Sequence, residues 1–244
     1  MQNLTGKTIR EIALEFPATT KVFEKFKIDY CCGGKKLFFD SCGSVGADPD
    51  IVLNEIELVL HDTESRQLSW TNDSKLSVLI DYILEKHHTF ANYELEHLPP
   101  LVDKVTRVHG EYHPVLFDVK RLFEALCEDL SHHFRKEEIV LFPYIRELED
   151  ARLRGNPAPT APFGTIENPV TIMVSDHERA AEILREMRKI TDDYLLPAGA
   201  CPSFTGMYYR FVELERDLHQ HIHLENNLLF PKAVSLEKDY VQHV

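Results

Sequence analysis

From about residue 74 onward, apolar residues return every third or fourth position in four long stretches, the period of an amphipathic helix. The first runs from Asp73 or Ser74 towards Val108 and carries Leu76, Ile80, Ile83, Leu84 and Leu95, with a break expected at Pro99-Pro100. The second runs from Val115 to Arg154, with a kink expected at Pro143. The third covers Glu167 to Tyr194, and the fourth Ser203 to Phe230, where Pro231 is expected to close it. Gly110 with Pro114, a proline-rich run after Gly155, and Pro197, Gly199 and Pro202 separate the four. The pattern predicts an all-α fold in which residues 74–244 form a four-helix bundle.

Residues 1–65 read as a small helical N-terminal domain. Between Thr8 and Phe16, Ile9, Ile12, Ala13 and Phe16 share a face; Pro17 ends that helix and opens the next, with Val22, Phe23 and Phe26 inward. Ile28-Asp29-Tyr30-Cys31-Cys32-Gly33-Gly34 follows as a turn, then a helix over Lys35 to Asp40. Asp48-Pro49 begins a helix that runs to His61. Residues 62–73 are mostly polar and hold no period, which places the domain boundary there. A module this small is marginal on its own.

The polar residues inside the apolar seams carry the chemistry. The second helix steps Leu126, Leu130, His133, Glu137, then Val140 and Leu141. The fourth steps Phe211, Leu214, Leu218, His221, Glu225, then Leu228 and Leu229. The third places His177 between Met173 and Ala180, ahead of Leu184 and Met187, and the first places His88 one turn after Leu84. His133-x-x-x-Glu137 and His221-x-x-x-Glu225 are each followed by an apolar residue and Phe-Pro. They lie 88 residues apart, and His88 and His177 lie 89 apart, so the two helix pairs read as a duplicated hairpin.

Residues i and i+4 share a helix face, so each His and Glu project together into the core. An ionised carboxylate in an apolar seam is costly unless it is paired or bound to a metal. Four imidazoles with two carboxylates form the donor set of a dinuclear site. That set suits iron over calcium or magnesium, which take all-oxygen shells, and exceeds what one zinc uses. Manganese or a mixed pair fits the same donors. His87, His132, His219 and His223 point off the seams, and His61, His97, His109, His113 and His243 read as surface or helix-end residues. Glu85-x-x-His88 matches a ferritin-like motif once, but its repeat partner is Val174-x-x-His177, so Glu85 is expected in solvent.

A net charge of −13 argues against nucleic acid or an anionic membrane surface as partner. No apolar run approaches the ~18–20 residues that span a bilayer, and Met1 to Leu14 lacks a secretory apolar core. Five cysteines, odd in number and sparse, fit a reducing cytoplasm. Cys31-Cys32 reads either as buried structure or as a reactive redox pair, its thiols made acidic by a nearby helix N-terminus and by Lys35 and Lys36. Cys42, Cys127 and Cys201 stand in no such setting, and Cys127, beside Leu126, reads as packing.

His88, His133-x-x-x-Glu137, His177 and His221-x-x-x-Glu225 resemble the hemerythrin-like domain of the RIC family (repair of iron centres; the YtfE, ScdA and DnrN group). Ile28 to Gly34 resembles the signature of that family's small N-terminal domain, so the resemblance covers nearly the whole chain. It implies a bundle holding two non-haem iron ions, oxo- or hydroxo-bridged, with His88, His133, His177 and His221 as ligands and Glu137 and Glu225 bridging. It further implies repair of iron–sulfur clusters damaged by oxidative or nitrosative stress, by supplying iron to the damaged proteins rather than by catalysis. Reduction of nitric oxide at the di-iron site, and sensing or scavenging of nitric oxide or oxygen, are the alternatives; a homodimer stays open. Where oxygen-carrying hemerythrins place a fifth His, this chain has Ala181, a site poorer in His and better suited to exchange.

Overall fold

A computed structural model of the chain describes residues 4–61, 70 and 74–241. The expected domain boundary at 62–73 and His243 therefore lie, Trp70 apart, outside the described residues. The described residues form helices and turns, with a single isolated bridge between Thr8 and Leu37. Two compact units divide the chain: residues 1–75 with 219–232, and residues 76–218 with 233–244.

Residues 76–241 are built on the four expected helices, most of them in segments. The first comprises α5 (Leu76–Tyr82), a π-turn (Ile83–His88), α6 (Thr89–His97) and α7 (Pro99–His109). The second comprises α8 (Val115–Lys136), a π-turn (Glu137–Leu141) and α9 (Phe142–Arg154). The third is α10 (Glu167–Ile190). The fourth comprises α11 (Pro202–Leu224), a π-turn (Glu225–Leu229) and α12 (Phe230–Val241). All four contribute to one core: Leu98, Val102 and Val105; Phe123, Leu126 and Leu130; Ala180, Leu184 and Met187; Phe204, Phe211, Leu214 and Leu218. Burial of these side chains, at roughly 25 cal/mol per Å² of apolar surface, is the main force holding the bundle.

Two expectations fail for one reason. Pro231 does not end the fourth helix, and Val140 is exposed rather than in the seam. In each π-turn the hydrogen-bond ladder slips by one residue: Phe142 N–H donates to Glu137 O, and Phe230 N–H to Glu225 O. The wider turn leaves room for the ring of Pro143 or Pro231, where an α-turn would set a carbonyl against it. The added residue also rotates the seam, so Leu141 goes inward and Val140 out.

The duplication extends to the helix ends. Glu149 Oε1 and Oε2 accept the backbone N–H groups of Leu76 (2.6 Å) and Ser77 (2.9 Å), the first donors of α5. Glu237, 88 residues later, accepts from Ile166 N–H (3.0 and 3.1 Å) at the start of α10, and also from Thr165 Oγ1 and Tyr144 Oη. Each hairpin thus caps the start of its first helix with a carboxylate from the end of its second, which satisfies donors that a helix cannot pair internally.

In the smaller unit, α1 (Ile9–Glu15) starts with a capping box in which Thr8 and Glu11 bond each other's backbone N–H. The α2 helix (Thr20–Lys25) follows a 3₁₀ turn at Pro17–Thr19, and α4 (Pro49–His61) starts as expected after Asp48, whose carboxylate accepts Asp50 N–H at 2.9 Å. The α3 helix spans Phe38–Val45, later than the expected Lys35 to Asp40. Its start is set by the bends at Gly33 and Gly34: a Cβ on Gly34 would run into Tyr30 O, so only glycine allows that close approach. Ile9, Ile12, Phe23, Phe38, Val52 and Ile56 form its core.

Candidate metal centre

All six expected ligands are buried, with exposures of 2% or less: His88, His133 and His177 at 2%, His221 at 1%, Glu137 and Glu225 at 0%. Each carboxylate opens a π-turn and His88 ends one, so all three irregular turns fall at these residues. That is a common place for π-turns, because the extra residue re-aims a side chain without ending the helix.

The side chains gather into two groups able to hold a metal ion: His88, Glu137, His221 and Glu225; and His133, Glu137, His177 and Glu225. Within each group the ligand atoms lie within 4.8 Å of one another. Glu137 and Glu225 belong to both groups, and the four imidazoles divide two and two. Glu137 turns Oε2 towards His88 Nε2 (3.4 Å) and Oε1 towards His133 Nε2 (3.3 Å). His133 Nε2 and His177 Nε2 face each other at 3.0 Å, and His221 Nε2 lies 3.0 Å from Glu225 Oε1. Each imidazole therefore turns its Nε2 towards another member of the set.

Two further carboxylates stand behind the set. His88 Nδ1 pairs with Glu138 Oε1 at 2.7 Å, and the ring stacks on Phe134. His133 Nδ1 lies 3.5 Å from Asp176 Oδ2, and Asp176 also accepts from Lys136 Nζ (2.9 Å) and Arg179 (2.6 Å). The His133 imidazole, and then Lys136, hold the Asp176 carboxyl well below the usual carboxylate range. A carboxylate on Nδ1 fixes the tautomer that leaves Nε2 to bind metal. Seam periodicity does not single out Glu138 or Asp176. Their one sequence signal is adjacency to Glu137 and His177.

The off-seam histidines lie outside both groups, but three of them have structural partners. His132 is exposed, as is Glu85. His87 is fully buried against Asp217 (2.9 Å). His219 pairs with Glu24 at 2.8 Å. His223 holds Tyr30 O at 3.0 Å through Nδ1, and burial pushes its pKa down to about 4. Asn227, two residues past Glu225, donates to Cys31 O at 3.0 Å.

At the cysteine loop, Cys31 lies on the side of the buried reading. Cys31 is buried at 5% exposure, with Asp29 Oδ1 3.3 Å from its sulfur and Cys32 Sγ at 3.8 Å. The Cys32 neighbour, burial and the Asp29 carboxylate raise the Cys31 thiol pKa well above its ordinary value rather than lowering it. Lys35 and Lys36 are exposed, and the next helix begins only at Phe38.

No helix among the described residues is long and apolar enough to cross a membrane. Comparison with known families matches residues 79–233 to the hemerythrin HHE cation binding domain. Residues 5–60 match a domain of unknown function, ScdA_N (DUF542). The chain is 30% identical to the iron-sulfur cluster repair protein ScdA of Staphylococcus haemolyticus over 92% of its own length and 96% of that protein. It is 32% identical to the iron-sulfur cluster repair protein YtfE of Escherichia coli over 93% of its own length and 96% of that protein. With the cation-binding bundle and the ScdA_N domain both matched along nearly the whole chain, this protein belongs to the hemerythrin HHE family, in the group that contains ScdA and YtfE.

Proposed function

We propose that the chain binds two iron ions, one held by His88 and His221 and the other by His133 and His177, with Glu137 and Glu225 bridging. The observation that carries this reading is the sharing: two four-residue groups have the same two carboxylates in common and split the histidines evenly. Six buried nitrogen and oxygen donors fit iron, whose sites mix imidazole and carboxylate, better than an all-oxygen cation site. Glu138 and Asp176 hold the Nδ1 protons of His88 and His133, which turns both Nε2 lone pairs inward.

The function these residues support is donation of iron to damaged iron–sulfur clusters in the cytoplasm; the ScdA and YtfE relatives are named iron-sulfur cluster repair proteins. Bound iron supplies an exchangeable, redox-active ion, and here that ion is the cargo. Four imidazoles and two carboxylates leave coordination positions on two six-coordinate ions for water or an acceptor ligand. The division of labour is thus capture by the buried carboxylates and release through the remaining positions. Incubating the iron-loaded chain with a cluster protein stripped of part of its iron, under reductant, tests this. Recovery of cluster absorbance with matching loss of iron from the chain is the expected result. Full retention of iron by the chain overturns the donor role.

A further inference from the structure

A second thiol lies far in sequence from the cysteine loop. Cys201 immediately precedes α11, and its carbonyl accepts Thr205 N–H at 3.0 Å, which makes it the N-cap residue of a helix of 23 residues. His109 is the last residue of α7. Its Nε2 sits 3.1 Å from Cys201 Sγ although 92 residues separate the two. Both side chains are partly exposed, so a small molecule can reach the sulfur. The His109 ring is braced by Phe204, with centroids 5.4 Å apart. Lys104, one turn and a half before His109, donates to Ser203 Oγ at 3.1 Å, two residues past Cys201.

The pair lies between two helix ends. Helix C-termini stabilise cations and helix N-termini stabilise anions within their terminal turn. An imidazolium at His109 would sit at the C-terminus of α7, and a thiolate at Cys201 would sit at the N-terminus of α11. The other cysteines lack this arrangement. Cys31 and Cys42 are buried, burial pushes the Cys127 thiol up to about 12, and Cys32 neighbours Cys31.

We propose that Cys201 and His109 form a reactive thiol–imidazole pair, a modification site that takes small-molecule disulfides. His109 Nε2 accepts the thiol proton, and the Cys201 sulfur attacks one sulfur of the disulfide. A new sulfur–sulfur bond forms on Cys201 while the old one breaks. Its electron pair leaves on the second sulfur, which takes the proton back from the imidazolium. Cys201 is oxidised, the departing sulfur is reduced, and one small thiol is released for each adduct. The pair is distinct from the metal-binding set and separate from the repair function proposed above.

Oxidised glutathione is the probe. The full-length chain, reduced and then freed of reductant, is incubated with it near neutral pH, and adduct formation is followed by peptide mass at each cysteine. Cys201 is expected to react at least about tenfold faster than Cys127, in keeping with its imidazole partner. His109→Ala should slow Cys201 about tenfold while changing Cys32 by less than about twofold, and added imidazole should restore part of the lost rate. Should His109→Ala lower the melting temperature, His109→Gln, which keeps a side chain of similar reach against Phe204, carries the comparison. An unchanged Cys201 rate in the histidine variants, or a Cys201 rate no greater than that of Cys127, overturns the proposal.

Discussion

Replacing Glu137 with leucine separates a metal-holding role from a merely structural one, because the two predict opposite responses to iron. Glu137 is fully buried, with its carboxylate 3.4 Å from His88 Nε2 and 3.3 Å from His133 Nε2. In metal-free protein, removing one partner of a buried pair commonly costs ~3–5 kcal/mol, because the other partner is left uncompensated. Glu137→Leu is therefore expected to fall below the wild type in metal-free stability, and the gap should widen when iron is added. With ferrous iron at a hundredfold excess over its dissociation constant, linkage adds about 2.7 kcal/mol to the wild type. For a bundle of this size, each kcal/mol moves the melting temperature by roughly 2–4 °C, so iron should raise the wild-type midpoint by about 5–10 °C. The variant lacks a donor common to both groups and should gain less than about 1 °C on the same scale. Anaerobic thermal melts with and without iron read this directly. Equal destabilisation of the variant in both conditions, or a full iron-induced shift in the variant, would refute the reasoning.

Two further outcomes follow from the packing. Cys127, with its thiol pushed from 9.0 to about 12 by burial, contributes stability that is complete below pH 9.0 and is lost as pH rises towards 12. Between pH 8 and pH 10 that loss is about 1 kcal/mol after allowing for partial exposure, and urea unfolding of Cys127→Ala should lack it; an identical pH 8-to-10 change in both proteins would contradict the assignment. Glu149→Ala removes the acceptor for the first two donors of α5 and should cost about 1–2 kcal/mol in urea unfolding while leaving iron content unchanged.

The burial of the six candidate ligands was legible in the sequence because they obey a periodicity. His88, His133, Glu137, His177, His221 and Glu225 each occupy a position that the seam reserves for a buried side chain, and all six are buried. The π-turns were not legible. A slip of the ladder by one residue leaves no residue type behind it, so Pro231 reads as a stop and Val140 as core. Contacts between distant segments were also invisible. Nothing in the sequence pattern singles out Glu149 or Glu237, because the helix ends that they cap come from distant segments. The Cys31 thiol reads as acidic if Lys35 and Lys36 act on it, yet the Cys32 neighbour, burial and Asp29 set the sign. His223 carries a parallel lesson: it is off the seam but buried on Tyr30, so its loss should cost stability rather than metal.

Metal analysis of the purified chain, joined to spectroscopy of the iron, tests the central claim most directly. Two iron ions per chain, magnetically coupled through the bridging carboxylates, are expected from the two groups that share Glu137 and Glu225. His132→Ala should leave both irons in place, and Glu225→Ala should lose them. One iron per chain, two uncoupled irons, or undiminished iron in Glu225→Ala would contradict the account.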